Sequence, residues 1–155
     1  MGLHFEGDFF WFAGGKLTMT EKKHLLFVCV ENSCRSQMAE AFALSCAGDM
    51  IEVYSAGSRP SRQVNPGAIA VMREIGYDLK LHHSKSFNDI PQGKYDYIIT
   101  MGCGDECPLI PAEYHEEWDI PDPKDMPIEE FRKVRDLIER RVEELVVKIK
   151  KHEEI

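Results

Sequence analysis

The first sustained apolar run is Leu25-Leu26-Phe27-Val28-Cys29, five residues with no polar interruption. It is too short to span a bilayer and predicts a strand buried on both faces. The period then changes. Met38, Ala41, Phe42 and Cys46 recur at helical spacing, which predicts a helix with Cys46 on its apolar, core-facing side. Gly48-Asp49 ends it. Ile51-Glu52-Val53-Tyr54-Ser55 alternates and predicts a second strand ending at Ala56-Gly57. Asn65-Pro66 supplies an N-cap and a proline at the first helical position. Ile69, Met72 and Ile75 follow at helical spacing, and Gly76 closes that helix. Residues 77–93 are polar and predict a loop holding a short helix. Tyr95 to Met101 reads as a third strand and Glu116 to Ile120 as a short fourth. Pro127 opens a last helix with the stripe Ile128, Phe131, Val134, Ile138, Val142, Leu145, Ile149. Glu129 and Glu130 at its start and Lys148, Lys150 and Lys151 at its end match the helix dipole.

Strands alternating with helices imply right-handed crossovers and an α/β fold, a parallel sheet with helices on both sides. Ligands of such sheets bind beyond the carboxyl ends of the strands, where strand order switches. Cys29 ends the first strand and Cys103 lies just past the third, so the topology brings these two thiols near each other.

At 155 residues the chain has room for one substantial core. We expect residues 1–19 to be a poorly ordered extension and 20–155 a single domain. Glu6 and Asp8, rather than basic residues, precede the aromatic run Phe9-Phe10-Trp11-Phe12, a poor signal peptide and a poor amphipathic anchor. Met19 is an alternative first residue. A formal net charge of −8 argues against nucleic acid or an anionic membrane as partner, but not against a small oxyanion held by a local field. Five cysteines, an odd number without a secretory signal, fit a reducing cytoplasm that keeps thiols for chemistry.

The chemistry concentrates where the period changes. A strand feeding a helix through a tight loop aims successive N–H groups at one spot, and the helix N-terminus adds positive charge there. Cys29 stands at the mouth of the loop and Arg35 closes it, with five residues between. Such surroundings favour the thiolate of Cys29, and the planar fork of Arg35 can hold two oxygens of phosphate or arsenate. A buried strand cysteine beside a surface arginine would account for the pair alone. The strand, the Asn32-Ser33-Cys34-Arg35-Ser36 string and the helix together favour an anion loop.

Cys29 to Glu40 resembles the anion-binding loop of the low-molecular-weight protein tyrosine phosphatase superfamily, and within it the thioredoxin-coupled arsenate reductases. The likeness continues through Tyr54-Ser55-Ala56-Gly57-Ser58-Arg59-Pro60, Val64-Asn65-Pro66, Thr100-Met101-Gly102-Cys103 and Asp122-Pro123, covering about residues 23 to 150. The resemblance implies a three-layer α/β/α fold on a four-stranded parallel sheet of order 2-1-3-4. It implies that Val30, Glu31, Asn32, Ser33, Cys34 and Ser36 form the oxyanion loop. Cys29 would attack arsenic, Cys103 would attack the sulfur of Cys29 to release arsenite, and Cys107 would resolve that disulfide, with thioredoxin as reductant. Arg35 would clamp the oxyanion, and Asp122 matches the general acid.

The sequence departs from this pattern in places. Only three residues separate Cys103 from Cys107, fewer than in the best-known members, and Glu31 stands where many relatives have glycine, which disfavours a dianion. Asn32 is expected to buttress the loop, and Ser36 to cap the helix and bond the thiolate. Some reductases bind potassium through residues matching Asn32, Glu40 and Ser55, but Ser86 replaces an expected acid, so no metal and no cofactor is assigned. Cys34 is either a plain loop residue or a reversible disulfide partner protecting Cys29. His82 and His83 are read as packing and capping residues, and Trp118 as core.

Other readings remain open from the residues. The chain is alternatively a tyrosine or small-molecule phosphatase using Cys29, Arg35 and Asp122, or a non-catalytic anion or thiol sensor. Cys103 and Cys107 are alternatively plain loop cysteines, or a zinc site with Cys29 and Cys34, though zinc pairs seldom sit in an oxyanion loop. Lys124-Asp125-Met126 after the Asp122-Pro123 pair, where aromatic residues would grip a phenyl ring, counts against an aryl phosphate substrate.

Overall fold

The buried apolar run forms the centre of a sheet. In the computed structural model, which describes residues 9–12, 15–18, 22–104 and 107–153, strands β1 (Phe9–Phe12) and β2 (Gly15–Thr18) pair antiparallel as a hairpin. Met19 lies outside the described residues. The main sheet holds β3 (Lys23–Cys29), β4 (Ile51–Gly57), β5 (Tyr95–Thr100) and β6 (Ala112–Glu117). Its order is β4-β3-β5-β6 with every pairing parallel, the expected 2-1-3-4 arrangement. The helices are α1 (Arg35–Ala47), α2 (Pro66–Arg73) and α3 (Ile128–Glu153).

Strand alternation sorts the core. Leu25, Phe27 and Cys29 face one side, against Met38 and Phe42 of α1, Met72 of α2 and Ile138 and Leu145 of α3. Leu26 and Val28 face the other, a thinner layer of Ala56, Ile90, Ile98 and Cys103 with Phe87 and Ile110. Each fully buried Leu, Ile or Phe stabilises the fold by ~1.5–3 kcal/mol. Trp118 is core as expected, 1 % exposed, with its ring 5.9 Å from that of Phe27.

Asn65 caps α2, its side chain accepting from the Gly67 N–H at 2.7 Å. The helix ends at Arg73, and Gly76 takes φ +89° in the turn beyond. Residues 77–93 carry two short 3₁₀ turns, Leu79–Leu81 and Phe87–Asp89.

Two readings need correction. The fourth strand lies earlier than Glu116–Ile120: it runs Ala112–Glu117, an edge strand whose alternate residues are exposed, so its apolar signal is weak. Cys46 is exposed rather than core, because the last turn of α1 keeps only Ala43 and Ala47 inside. Partial burial, and then Glu143 and Glu139 of α3, raise its thiol pKa.

Candidate active site

The loop from β3 into α1 is held from outside by its carbonyls. Arg59 N–H donates to Val30 O (2.8 Å), Ser61 N–H to Glu31 O (3.1 Å) and Asn65 N–H to Ser33 O (3.0 Å). Ser84 Oγ adds a second donor to Glu31 O at 2.8 Å. A loop tied back by its carbonyls turns its N–H groups to the concave side, the arrangement of an anion nest. Gly57 makes this close approach possible: a Cβ there would lie 2.8 Å from Asn32 N.

Asn32 is the buttress, fully buried with φ +52°, a left-handed conformation that asparagine tolerates. Lys85 N–H donates to its Oδ1 at 2.7 Å. A backbone N–H only donates, which fixes the amide orientation and turns Nδ2 toward Ser36 Oγ at 2.7 Å. Ser36 Oγ also shares a hydrogen bond with Cys29 Sγ, 2.9 Å away. Ser36 makes this bond but caps nothing: Cys34 is the N-cap residue of α1 and has no side-chain cap bond.

Behind Asn32 stands Gln37, a residue to which the sequence reading gave no role, together with His82. Gln37 is fully buried, and its Nε2 donates to Asn32 Oδ1 (2.8 Å) and His83 O (2.7 Å). Its Oε1 accepts from His82 Nδ1 at 3.0 Å, and His82 Nε2 shares a 2.8 Å hydrogen bond with Tyr77 OH. Burial lowers the His82 pKa, with Lys85 and His83 acting the same way against the opposing pull of Glu40. A glutamine among the apolar positions of α1 was the available signal. Ser55 donates to Glu40, and the Lys85 ammonium lies 3.3 Å from Ser55 Oγ and 3.5 Å from Glu40 Oε1. A lysine already supplies the positive charge there, so these residues do not fit a potassium ion.

Arg35 is 7 % exposed; its Nη1 donates to Ile120 O at 3.3 Å and its Nη2 lies 3.5 Å from Asp122 Oδ2. One pocket is lined by Cys29, Glu31, Ser33, Cys34, Arg35, Asp122 and Lys124. The structure thus brings the expected nucleophile, clamp and acid together. Cys34 stays a thiol: burial, then Asp122 and Cys29, push its pKa up to about 12. Val30 packs against the opposite core cluster, away from this pocket.

Cys103 and Cys107 are joined as a disulfide with Cα atoms 5.6 Å apart, while Cys29 and Cys34 are free thiols. The ends of β3 and β5 adjoin, with Met101 N–H donating to Val28 O at 2.7 Å. Yet Cys103 packs with Leu26 and Val28, and Cys29 with Leu25 and Phe27, so the two sulfurs face opposite sides of the sheet. Gly102 (φ +80°) and Gly104 (φ +56°) flank Cys103, and a Cβ at 102 would run into Arg35 Nη1. Glycine is required at 102 twice over, for its backbone and for the guanidinium.

Sheet order, the loop from Cys29 to Arg35 and the acid beside it define a class of protein. The chain belongs to the low molecular weight phosphotyrosine protein phosphatase family, whose model matches residues 24–154. Its relatives are more particular. It is 42 % identical over 130 residues to a glutaredoxin arsenate reductase of Synechocystis, covering 82 % of this chain and 98 % of that one. A solved arsenate reductase in a phosphate-binding state superposes with a TM-score of 0.73 at 42 % identity, over 82 % of this chain and 98 % of the other. A thioredoxin-dependent arsenate reductase of Corynebacterium glutamicum gives 0.70 at 32 % identity, over 86 % and 64 %. Among the described residues no helix is long and apolar enough to cross a membrane.

Proposed function

We propose that this chain reduces arsenate to arsenite through Cys29, Cys103 and Cys107. The observation that carries the reading is the Cys103–Cys107 disulfide at the carboxyl end of the sheet, begun by a glycine against Arg35, while Cys29 stays a separate thiol. Phosphate-ester hydrolysis needs one thiol, an arginine and an acid; a two-electron reduction needs a dithiol.

Cys29 Sγ attacks arsenic and an oxygen leaves as water, protonated by Asp122. The Arg35 fork and the loop N–H groups hold the remaining oxygens. Cys103 then attacks Cys29 Sγ. The S–As bonding pair passes to arsenic, arsenite departs as As(III), and a Cys29–Cys103 disulfide forms. Cys107 attacks Cys103 Sγ, freeing the Cys29 thiolate and leaving Cys103–Cys107. Because the thiols face opposite sides of the sheet when Cys103–Cys107 is closed, the segment from Gly102 must swing between steps. An external dithiol supplies the two electrons that reopen the pair. Cys103 is 4 % exposed and Cys107 less buried, so exchange begins at Cys107.

Thioredoxin is the proposed reductant, supported by the thioredoxin-dependent neighbour; the Synechocystis relative makes glutaredoxin the comparison to include. The site of action is the cytoplasm, where such dithiols are kept reduced. The test is arsenate-dependent NADPH oxidation with thioredoxin and its reductase. Steady oxidation is expected, lost in Cys29→Ser and in Cys103→Ser. Turnover that survives Cys103→Ser contradicts the relay. The phosphatase reading keeps the support of the family and of Asp122; it expects Cys103→Ser to hydrolyse phosphate esters without any arsenate-dependent oxidation.

A further inference from the structure

The rim of the anion pocket carries an ion pair that the relay does not use. Glu31 Oε2 and Lys124 Nζ stand 2.9 Å apart. Glu31 comes from the loop after Cys29 and Lys124 from the turn after Asp122, so the pair joins the segments that bear nucleophile and acid. Both residues line the pocket of Cys29, Arg35 and Asp122. Exposure orders these residues from base to mouth. Cys29 is 2 % exposed, whereas the Glu31 and Lys124 side chains are 36 % and 48 % exposed.

Each partner is presented by backbone held independently of the pair. Glu31 O accepts from Ser61 N–H and Ser84 Oγ. Lys124 N–H donates to Asp122 Oδ1 at 3.1 Å. Charge also favours the pair: Glu31 raises the pKa of Lys124, so the ammonium persists. A lone carboxylate at this mouth would repel a dianion; paired, it is neutralised.

An exposed ion pair opens readily. A free tetrahedral oxyanion carries no group that must stay between the two side chains, so nothing in it opposes re-forming the pair once it has passed. The organic group of a phosphate ester must project through that same mouth, holding the pair open and leaving the Glu31 carboxylate unpaired beside the dianion.

We propose that the Glu31–Lys124 ion pair is a specificity gate that admits free tetrahedral oxyanions to the Cys29 loop and shuts out organic phosphate esters and phosphonates. The gate rests on the oxyanion reading of that loop. It is tested with the reduced, full-length protein by protection of Cys29 from iodoacetamide, read by peptide mass spectrometry, using orthophosphate and phenylphosphonate as probes. In the unaltered protein phosphate should protect at about tenfold lower concentration than phenylphosphonate. Combining Glu31→Gln with Lys124→Met should bring the two within about twofold. Lys124→Met alone, which strands the carboxylate, should weaken phosphate protection about three- to tenfold. The charge swap, Glu31→Lys with Lys124→Glu, should restore the preference. A preference unchanged in the Gln/Met variant, or not restored by the swap, overturns the gate while the oxyanion reading stands. Failure of phosphate to protect Cys29 in the unaltered protein overturns both.

Discussion

Gly102 lies under the Arg35 guanidinium with φ +80°, so in the proposed relay one residue couples oxyanion holding to the start of the segment that carries Cys103. Gly102→Ala adds ~1–2 kcal/mol of backbone strain and pushes Nη1 off the Ile120 carbonyl. The expected outcome is oxyanion binding weakened about tenfold, measured as phosphate protection of Cys29 from alkylation, because a displaced fork loses its bidentate geometry. Unchanged protection would mean that Arg35 is held independently of this glycine. The thiols divide by the same local logic. Burial, then Asp122 and Cys29, push the Cys34 thiol up to about 12, which disfavours its thiolate, whereas Cys29 Sγ shares a 2.9 Å hydrogen bond with Ser36 Oγ.

At the scale of elements, β6 and the turn after it set the far wall of the site. Trp118 N–H donates to Thr100 O at 2.8 Å and carries the chain to Ile120, whose carbonyl holds Arg35. Glu116 fastens this corner by accepting from Trp118 Nε1, from Tyr114 OH at 2.8 Å and from Lys148 Nζ at 3.0 Å. Burial alone would raise the Glu116 pKa; the bonds from Trp118, Lys148 and Tyr114 outweigh it and bring it to about 2 from an ordinary 4.5. The folded value is the lower one, so the stabilisation is complete above pH 4.5 and is lost as pH falls through about 2. Glu116→Leu should cost ~1–3 kcal/mol in urea unfolding at pH 7, by leaving the Trp118 indole Nε1–H without its acceptor. It should also flatten the decline of stability with acid. An identical acid profile would contradict this role. This corner is also where sequence reading fell short. The stripe of α3 and the run Leu25–Cys29 announced themselves because their periods are pure, but β6 mixes exposed glutamates with half-buried residues and its start was missed. Cys46 misled for a related reason: it keeps helical spacing from Phe42, but the burial of α1 narrows toward its end. The buttress of Gln37, His82 and Lys85 joins elements far apart in sequence, a convergence that no local pattern carries.

On the scale of the whole molecule, the parallel sheet places the two halves of the proposed relay at one end and on two faces. The oxyanion loop, α1 and the Asp122 turn lie on the side of the helices; Cys103 and Cys107 lie in the thinner layer opposite. That a parallel sheet would gather the ends of the first and third strands was legible from alternation alone; that the closed disulfide draws Cys103 to the other face was not, since it depends on the backbone at Gly102 and Gly104. The central claim is that both electrons pass from this chain to arsenic and leave a disulfide between Cys103 and Cys107. The most direct measurement is a single turnover: fully reduced protein mixed with arsenate and no external reductant, with arsenite counted and the disulfides mapped by mass spectrometry. About one arsenite per chain is expected, with Cys103–Cys107 as the accumulated disulfide and Cys29 still alkylatable. No arsenite from fully reduced protein, or arsenite formed equally well by Cys103→Ser, would contradict the relay.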